Sequence, residues 1–350
     1  MLVLAVALFA ASQYFSPIIL RDIIESPQVY GATADYLHWR TYGIFFSFLC
    51  VMFRAYYVGI TQTKILTVNS IVMLLSNVAL NYCLIFGKGG FPAAGIAGAA
   101  IASSVSEAVS LLFFIIYTSM TADKRKYGFR RAFTLRPHLL KGMLSISGWT
   151  MVQSFISVSI WFIFFLAIEH LGERPLAVTN IVRNISALLI MVISAFATTA
   201  GALISNQIGA GEQRCLFKTC GMTLKLTYAI LIPLLIILCL FPESVLRAFT
   251  DSPSLIAASV NSVYVMASST LIMAPSFILF NAVSGTGNTR AGFIMEMISL
   301  AVYTAVIYYG IIRLKPDVAL CWFSEHVYGV TLIFLAWWYL KSGKWRGKKV

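Results

Sequence analysis

Ten long apolar stretches dominate this chain, at positions 1–20, 36–60, 65–87, 93–120, 139–170, 175–207, 218–241, 257–284, 289–314 and 317–341. A helix needs about 20 residues to cross a hydrocarbon layer about 30 Å thick, and each stretch meets that length. No water is available in that layer to take up backbone N–H and C=O groups, so only helices and closed barrels satisfy them. A barrel would be written as alternating segments of about ten residues, a pattern this sequence lacks. The fold class is therefore an all-α polytopic membrane protein with ten visible transmembrane helices. Only 11% of the residues are charged and 59% are hydrophobic, against about 25% charged in soluble domains.

The chain repeats its own punctuation. GITQTK at Gly59–Lys64 is echoed by GTGNTR at Gly285–Arg290, and LRDIIESP ending at Pro27 by LRAFTDSP ending at Pro253. The offset is the same for both (253 − 27 and 285 − 59 are both 226). An internal duplication is the economical explanation. It maps 1–20 onto 218–241 and continues to the end, whereas 139–170 and 175–207 would have partners before Met1. The repeat thus leads to the expectation that about 80 residues, two further helices, precede Met1 in a complete form. Two six-helix halves would then be parallel repeats about an axis normal to the membrane. The expected organisation is an N-terminal lobe over 1–120 with four of six helices, a basic linker over 121–138, a six-helix C-terminal lobe over 139–341, and a basic tail over 342–350. A lobe lacking two helices leaves a cavity wall open, so the chain alone is not expected to transport.

The formal net charge of +13 is a matter of topology and does not indicate a nucleic-acid partner. With Met1 inside, 16 of the 26 basic residues fall on the cytoplasmic side: Lys64, Lys124, Arg125, Lys126, Arg130, Arg131, Arg136, Lys141, Arg214, Lys218, Arg290, Lys341, Lys344, Arg346, Lys348 and Lys349. Outer connections hold Arg21, Lys88, Arg174, Arg247, Arg313 and Lys315. The asymmetry places both termini in the cytoplasm, and anionic lipid is partner enough for the basic patches. Six cysteines without paired spacing read as structural thiols. Four histidines without HExxH give no metal site, and no nucleophile or phosphate motif points to an enzyme or a cofactor. GIAGAA, Gly95–Ala100, lies in an apolar segment with no strand before it, so close helix packing is expected there.

Polar atoms inside such a bundle mark substrate and ion paths. Asn77 and Asn81 share a helix face, and Ser103 on the next helix lies at the same depth, about 15 Å from the outer surface at 1.5 Å per residue. Their oxygens suit a hard cation such as Na⁺; interhelical hydrogen bonding explains the same cluster. Positions 77, 81 and 103 map to Tyr303, Ile307 and Gly329, so the scaffold is duplicated and this cluster is not. Glu107, one turn beyond Ser103, is a candidate for proton or cationic-substrate binding or for an ion pair with Arg54. Glu296 and Lys225, each seven residues from an inner helix end, are expected to pair. Gln153, Trp149, Phe155 and Trp161 are candidates to line a cavity, with packing or lipid contact as the alternative for the aromatics. Arg183 has no evident partner.

FRAYYVGITQTK, NVALNYCLIFGKGGFPAAGIAGAAIAS, ALISNQIGAGEQ and NAVSGTGNTR together resemble the multidrug and toxic compound extrusion (MATE) transporters. The resemblance covers essentially the whole chain. It implies a twelve-helix, two-lobe fold in the cytoplasmic membrane, and export of small organic, often cationic, compounds in exchange for Na⁺ or H⁺ by a monomer without a cofactor. In that family the cluster holds Asn, Asp or Asn, and Thr, completed by an Asp from the first helix. Here Asn81 and Ser103 fill the second and third roles, and the Asp would lie ahead of Met1. Some members also carry acids at places that fall near Ser157 and Met273, neither of them acidic, so coupling is expected in the first lobe. A lipid-linked-intermediate flippase and a non-transporting scaffold or sensor are the alternatives.

Overall fold

The computed structural model describes residues 2–23, 27–121, 137–343 and 345. Among them all regular structure is helical, and ten helices are long and apolar enough to cross a membrane. The chain forms two compact units, Met1–Thr134 and Leu135–Val350. Most of the expected linker over 121–138, and most of the tail over 342–350, lie outside the described residues.

The first unit contains α1 (Leu2–Ile23), α2 (Pro27–Gly59), α3 (Lys64–Phe86) and α4 (Gly95–Thr121). The second contains α5 (Pro137–Glu169), α6 (Glu173–Gly209), α7 (Leu216–Leu240), the short α8 (Pro242–Leu246), α9 (Pro253–Gly285), α10 (Thr289–Val306), the short α11 (Val318–Cys321) and α12 (Ser324–Ser342). A π-helical run, Ile307–Arg313, continues α10. The largest departure from the sequence expectation is α2, which starts at Pro27 and not at 36. Proline at a first helical position has its φ preset and gives up an N–H that would be unbonded anyway, so the helix runs through the polar residues before the apolar stretch. Pro253 begins α9 in the same way, after Ser252.

The 226-residue offset survives into structure. α2 and α9 are both 33 residues long, from proline to glycine. The left-handed φ of +59° at Thr61 recurs as +78° at its counterpart Gly287, so the two turns share a backbone path. In the first unit α2 packs on α1 and α4, and α3 on α4; in the second α9 packs on α7 and α12, and α10 on α12. These are corresponding pairs. α5 and α6 have no counterpart within the chain at this offset, and α6 makes the most extensive helix contact of all, with α9.

Glycines set the closest approaches. A Cβ on Gly98 would lie 2.5 Å from the Leu84 carbonyl oxygen of α3, and one on Gly285 would lie 2.5 Å from the Gly201 carbonyl oxygen of α6. GIAGAA is thus a packing surface, as small residues in membrane helices commonly are. Gly59, the twin of Gly285, has nothing within 4 Å. Gly285→Ala is therefore expected to cost about 1–3 kcal/mol through overpacking, read as a lower melting temperature in detergent, while Gly59→Ala leaves it unchanged. Equal losses at both positions would contradict this packing.

Candidate functional site

In the first unit, asparagines on α3 face serines on α4. The deepest pair is Asn69, whose Nδ2 donates to Ser110 Oγ at 2.8 Å while Ser110 Oγ lies 3.1 Å from Asn69 Oδ1; Asn69 and Ser110 are fully buried. Two turns further along α3, Asn77 Nδ2 lies 3.3 Å from Ser106 Oγ and 3.5 Å from Ser103 Oγ, and Asn81 Nδ2 donates to Asn77 Oδ1 at 3.0 Å. The structure thus brings Asn77, Asn81 and Ser103 together at one level. Asn81 Oδ1 is buried and accepts no hydrogen bond. Leaving a carbonyl oxygen desolvated and unbonded costs about 1–3 kcal/mol. Amide and hydroxyl oxygens do not titrate near neutrality and suit a hard metal cation. Asn81 Oδ1 and Ser103 Oγ are two oxygens of that kind.

Glu107 does not pair with Arg54. Its Oε1 and Oε2 take a two-pronged ion pair from Arg40 of α2, at 2.7 Å from Nη2 and 3.1 Å from Nη1. Arg40 stands 13 residues into α2 and Glu107 12 residues into α4, both counted from the helix starts, whereas Arg54 stands 27 residues in. At 1.5 Å per residue, Arg54 is about 20 Å too deep to reach it, and it lies exposed. Gly43 makes room for the pair, since a Cβ there would overlap Arg40 Nη1 and lie 2.6 Å from Glu107 Oε2. Depth counted along both helices was the signal that identifies Arg40.

The second unit holds a cavity of about 510 Å³ whose carboxyl lining sequence reasoning did not foresee. Its polar lining comes from four helices: Ser157 of α5, Arg183 and Ser186 of α6, Glu296 and Tyr303 of α10, and Glu325 and Tyr328 of α12. Glu296 is 3% exposed. Its Oε1 accepts from Ser157 Oγ and Tyr328 Oη, both at 2.8 Å, while Oε2 is buried without a partner. Tyr303 Oη donates to Glu325 Oε1 at 2.8 Å. The expected Glu296–Lys225 pair is not formed, because Glu296 turns toward α5 and α12 while Lys225 is exposed on α7. Arg183, unexplained by sequence, lies over the Phe165 ring at 5.2 Å.

Of the four residues offered as cavity lining, Trp161 lines this cavity and Gln153, Trp149 and Phe155 do not. Gln153 offers its backbone carbonyl to Ser157 Oγ at 2.9 Å. Trp149 packs against Phe293 and lies under Arg290, and Phe155 is 74% exposed. Ser157 and Met273, the positions at which acids were sought, both line the cavity; its carboxyls enter from α10 and α12 instead.

The sequence pattern of the MatE family matches residues 1–83 and 150–309. The chain is 25% identical over 268 residues to the uncharacterized transporter YisQ of Bacillus subtilis, covering 73% of this chain and 56% of that one. It is 25% identical over 291 residues to the probable multidrug resistance protein NorM of Thermotoga maritima, covering 78% and 59%. The chain thus spans less than two thirds of the length of these curated relatives. Among solved structures, an outward-facing multidrug resistance MATE family transporter of the MOP superfamily matches with a TM-score of 0.85 at 16% identity, covering 97% of this chain and 76% of that one. The Vibrio cholerae transporter VcmN in its D35N form matches with a TM-score of 0.81 at 13% identity, covering 97% and 75%.

Removing one member of a half-buried ion pair strands the other among the helices, while replacing both costs less. Glu107→Gln is therefore expected to lower the melting temperature more than the double change Glu107→Gln with Arg40→Gln. A strictly additive double variant would remove the pairing.

Proposed function

The chain belongs to the MatE family, and from that premise we propose that it serves in export of small organic compounds, driven by a cation that binds among Asn77, Asn81 and Ser103. The reading rests on one observation above the others, the buried and unbonded Oδ1 of Asn81, a residue bonded to Asn77, which in turn reaches Ser103. Multidrug resistance proteins among its relatives support the substrate class, and helices long enough to span a membrane support the location.

The described oxygens of this cluster are neutral, and the nearby carboxylate of Glu107 is committed to Arg40. Such a set holds Na⁺ by direct coordination and has no group to carry a proton. Asn81 Oδ1 and Ser103 Oγ would bind the ion; Asn77 orients Asn81 by accepting its Nδ2–H. The Arg40–Glu107 pair ties α2 to α4 beside the cluster and acts by positioning. Arg54 and Gln153 carry no part in this scheme. Ion binding in one lobe and substrate release would be linked by rocking of the lobes, expected over 1–120 and 139–341, in alternating access.

Purified protein should gain thermal stability from Na⁺ over choline, since ligand at about a hundred times its Kd adds ~2.7 kcal/mol to the folded state. Asn81→Ala should abolish that gain while leaving the melting temperature in choline within a few degrees of the parent; a persisting Na⁺ effect would remove the ion from this cluster. Orientation is testable separately. Cysteines introduced at Lys124 and Lys348 should be protected from an impermeant thiol reagent in intact cells and react after permeabilisation, as cytoplasmic positions do. Labelling in intact cells would reverse the topology.

A further inference from the structure

Toward the Pro27 end of α2, α1 and α2 enclose a polar pocket of about 290 Å³, at the small end of ligand-site volumes. Its groups divide by chemistry. Gln13 Nε2 donates to Thr41 Oγ1 at 3.2 Å, which leaves Gln13 Oε1 as an acceptor. Pro17, inside α1, brings no N–H to the Gln13 main-chain carbonyl four residues before it. Asp35 lines the same pocket, and among the described residues its carboxylate takes part in no ion pair. Tyr30 and His38 add a phenol and an imidazole, both able to donate.

The surroundings set this pocket at the level of lipid headgroups. α2 has 33 residues, about 50 Å at 1.5 Å per residue, against a hydrocarbon layer about 30 Å thick. Its first turns therefore reach beyond the hydrocarbon. Tyr14, Trp39 and Tyr42 are exposed on the two helices, and such rings collect at the boundary between hydrocarbon and headgroups. Phe15, Ile18 and Ile19 are exposed on the same stretch of α1 and give acyl chains an apolar wall.

We propose that this pocket holds the headgroup of a phospholipid that ends in a primary ammonium, as phosphatidylethanolamine does. An ammonium presents three N–H donors and no acceptor. Asp35, Gln13 Oε1 and the Gln13 main-chain carbonyl are three acceptors, one of them charged. The phosphate is met by the donors of Tyr30 and His38, and Arg21, directly after the lining residue Leu20, adds a positive charge close by. A trimethylated headgroup keeps its charge and loses all three N–H donors, so it leaves these acceptors unanswered. This partner goes beyond the export reading, and its binding depends neither on transport nor on the cluster of Asn77, Asn81 and Ser103.

The test titrates the full chain in detergent with dioctanoyl phospholipids bearing ethanolamine, N-methylethanolamine, N,N-dimethylethanolamine or choline, and counts bound lipid by native mass spectrometry. Equal acyl chains hold the apolar contribution constant. The parent is expected to retain one ethanolamine lipid about tenfold more tightly than the choline lipid, with affinity falling at each methylation. Asp35→Asn should remove this preference while keeping the parent's melting temperature without lipid, since Asp35 is exposed. Asp251→Asn, at another exposed carboxylate, should keep the preference. Equal affinity for all four headgroups in the parent, a comparison that needs no variant, overturns the proposal; so does a preference that survives Asp35→Asn. Glycerophosphoethanolamine, the same headgroup without acyl chains, should compete only weakly. Competition at the concentration of the lipid itself would assign the pocket to a soluble ligand and overturn the lipid.

Discussion

In hydrocarbon an unmet donor or acceptor has no solvent to turn to, so each bundle must complete its polar groups from its own helices. That requirement organises the first unit around α4. Its serines answer the asparagines of α3, its Glu107 answers Arg40 of α2, and Thr118 lies 2.7 Å from the Tyr57 hydroxyl of α2. In the second unit the same need is met around the cavity, where Ser157, Tyr303 and Tyr328 reach the two glutamates from three helices. A few atoms are left unmet among the described residues, Asn81 Oδ1 and Glu296 Oε2 among them.

Duplication copied the architecture and not the chemistry. Helix pairs, the 33-residue length of α2 and α9, and the left-handed residue in each inner turn all recur. Asn69 and Ser110, by contrast, correspond to Met295 and Ala336, and Asn77 corresponds to Tyr303. The amides and hydroxyls of the first unit's cluster therefore correspond to one phenol and to apolar residues in the other, whose carboxyls, Glu296 and Glu325, stand where the first unit has Ser70 and Ala99. Backbone packing tolerates such exchange because glycines at the crossings, Gly98 and Gly285, fix the helix separations independently of what lies between.

What was legible in the sequence follows from range. The ten spans and their turns are local, and apart from the start of α2 their ends fall close to the expected positions. Helix-face spacing and depth placed Asn77, Asn81 and Ser103 together, because all three lie on consecutive helices joined by a short connection. Glu107 was paired with the wrong arginine since α2 was begun too late, which hid the matching depth of Arg40. The second-unit cavity needed four helices to converge, in two neighbouring pairs far apart in sequence, and neither a helix-face pattern nor the repeat encodes that convergence. Looking for acids only at Ser157 and Met273 passed over the fact that a cavity accepts a carboxyl from any wall.

One feature of α10 bears on how that cavity is held. Past Val306 the helix widens into the π-helical run Ile307–Arg313, just beyond the turn that carries Tyr303. A wider turn spends more residues per unit of axial length than an α-helix does, so this run is slack stored in the helix. Rewinding it to α geometry lengthens the element and swivels whichever end is less firmly packed. Glu296 and Tyr303 sit on one side of that slack and the connection to α11 on the other, so a small change of pitch would act as a screw on the carboxyl–phenol contacts.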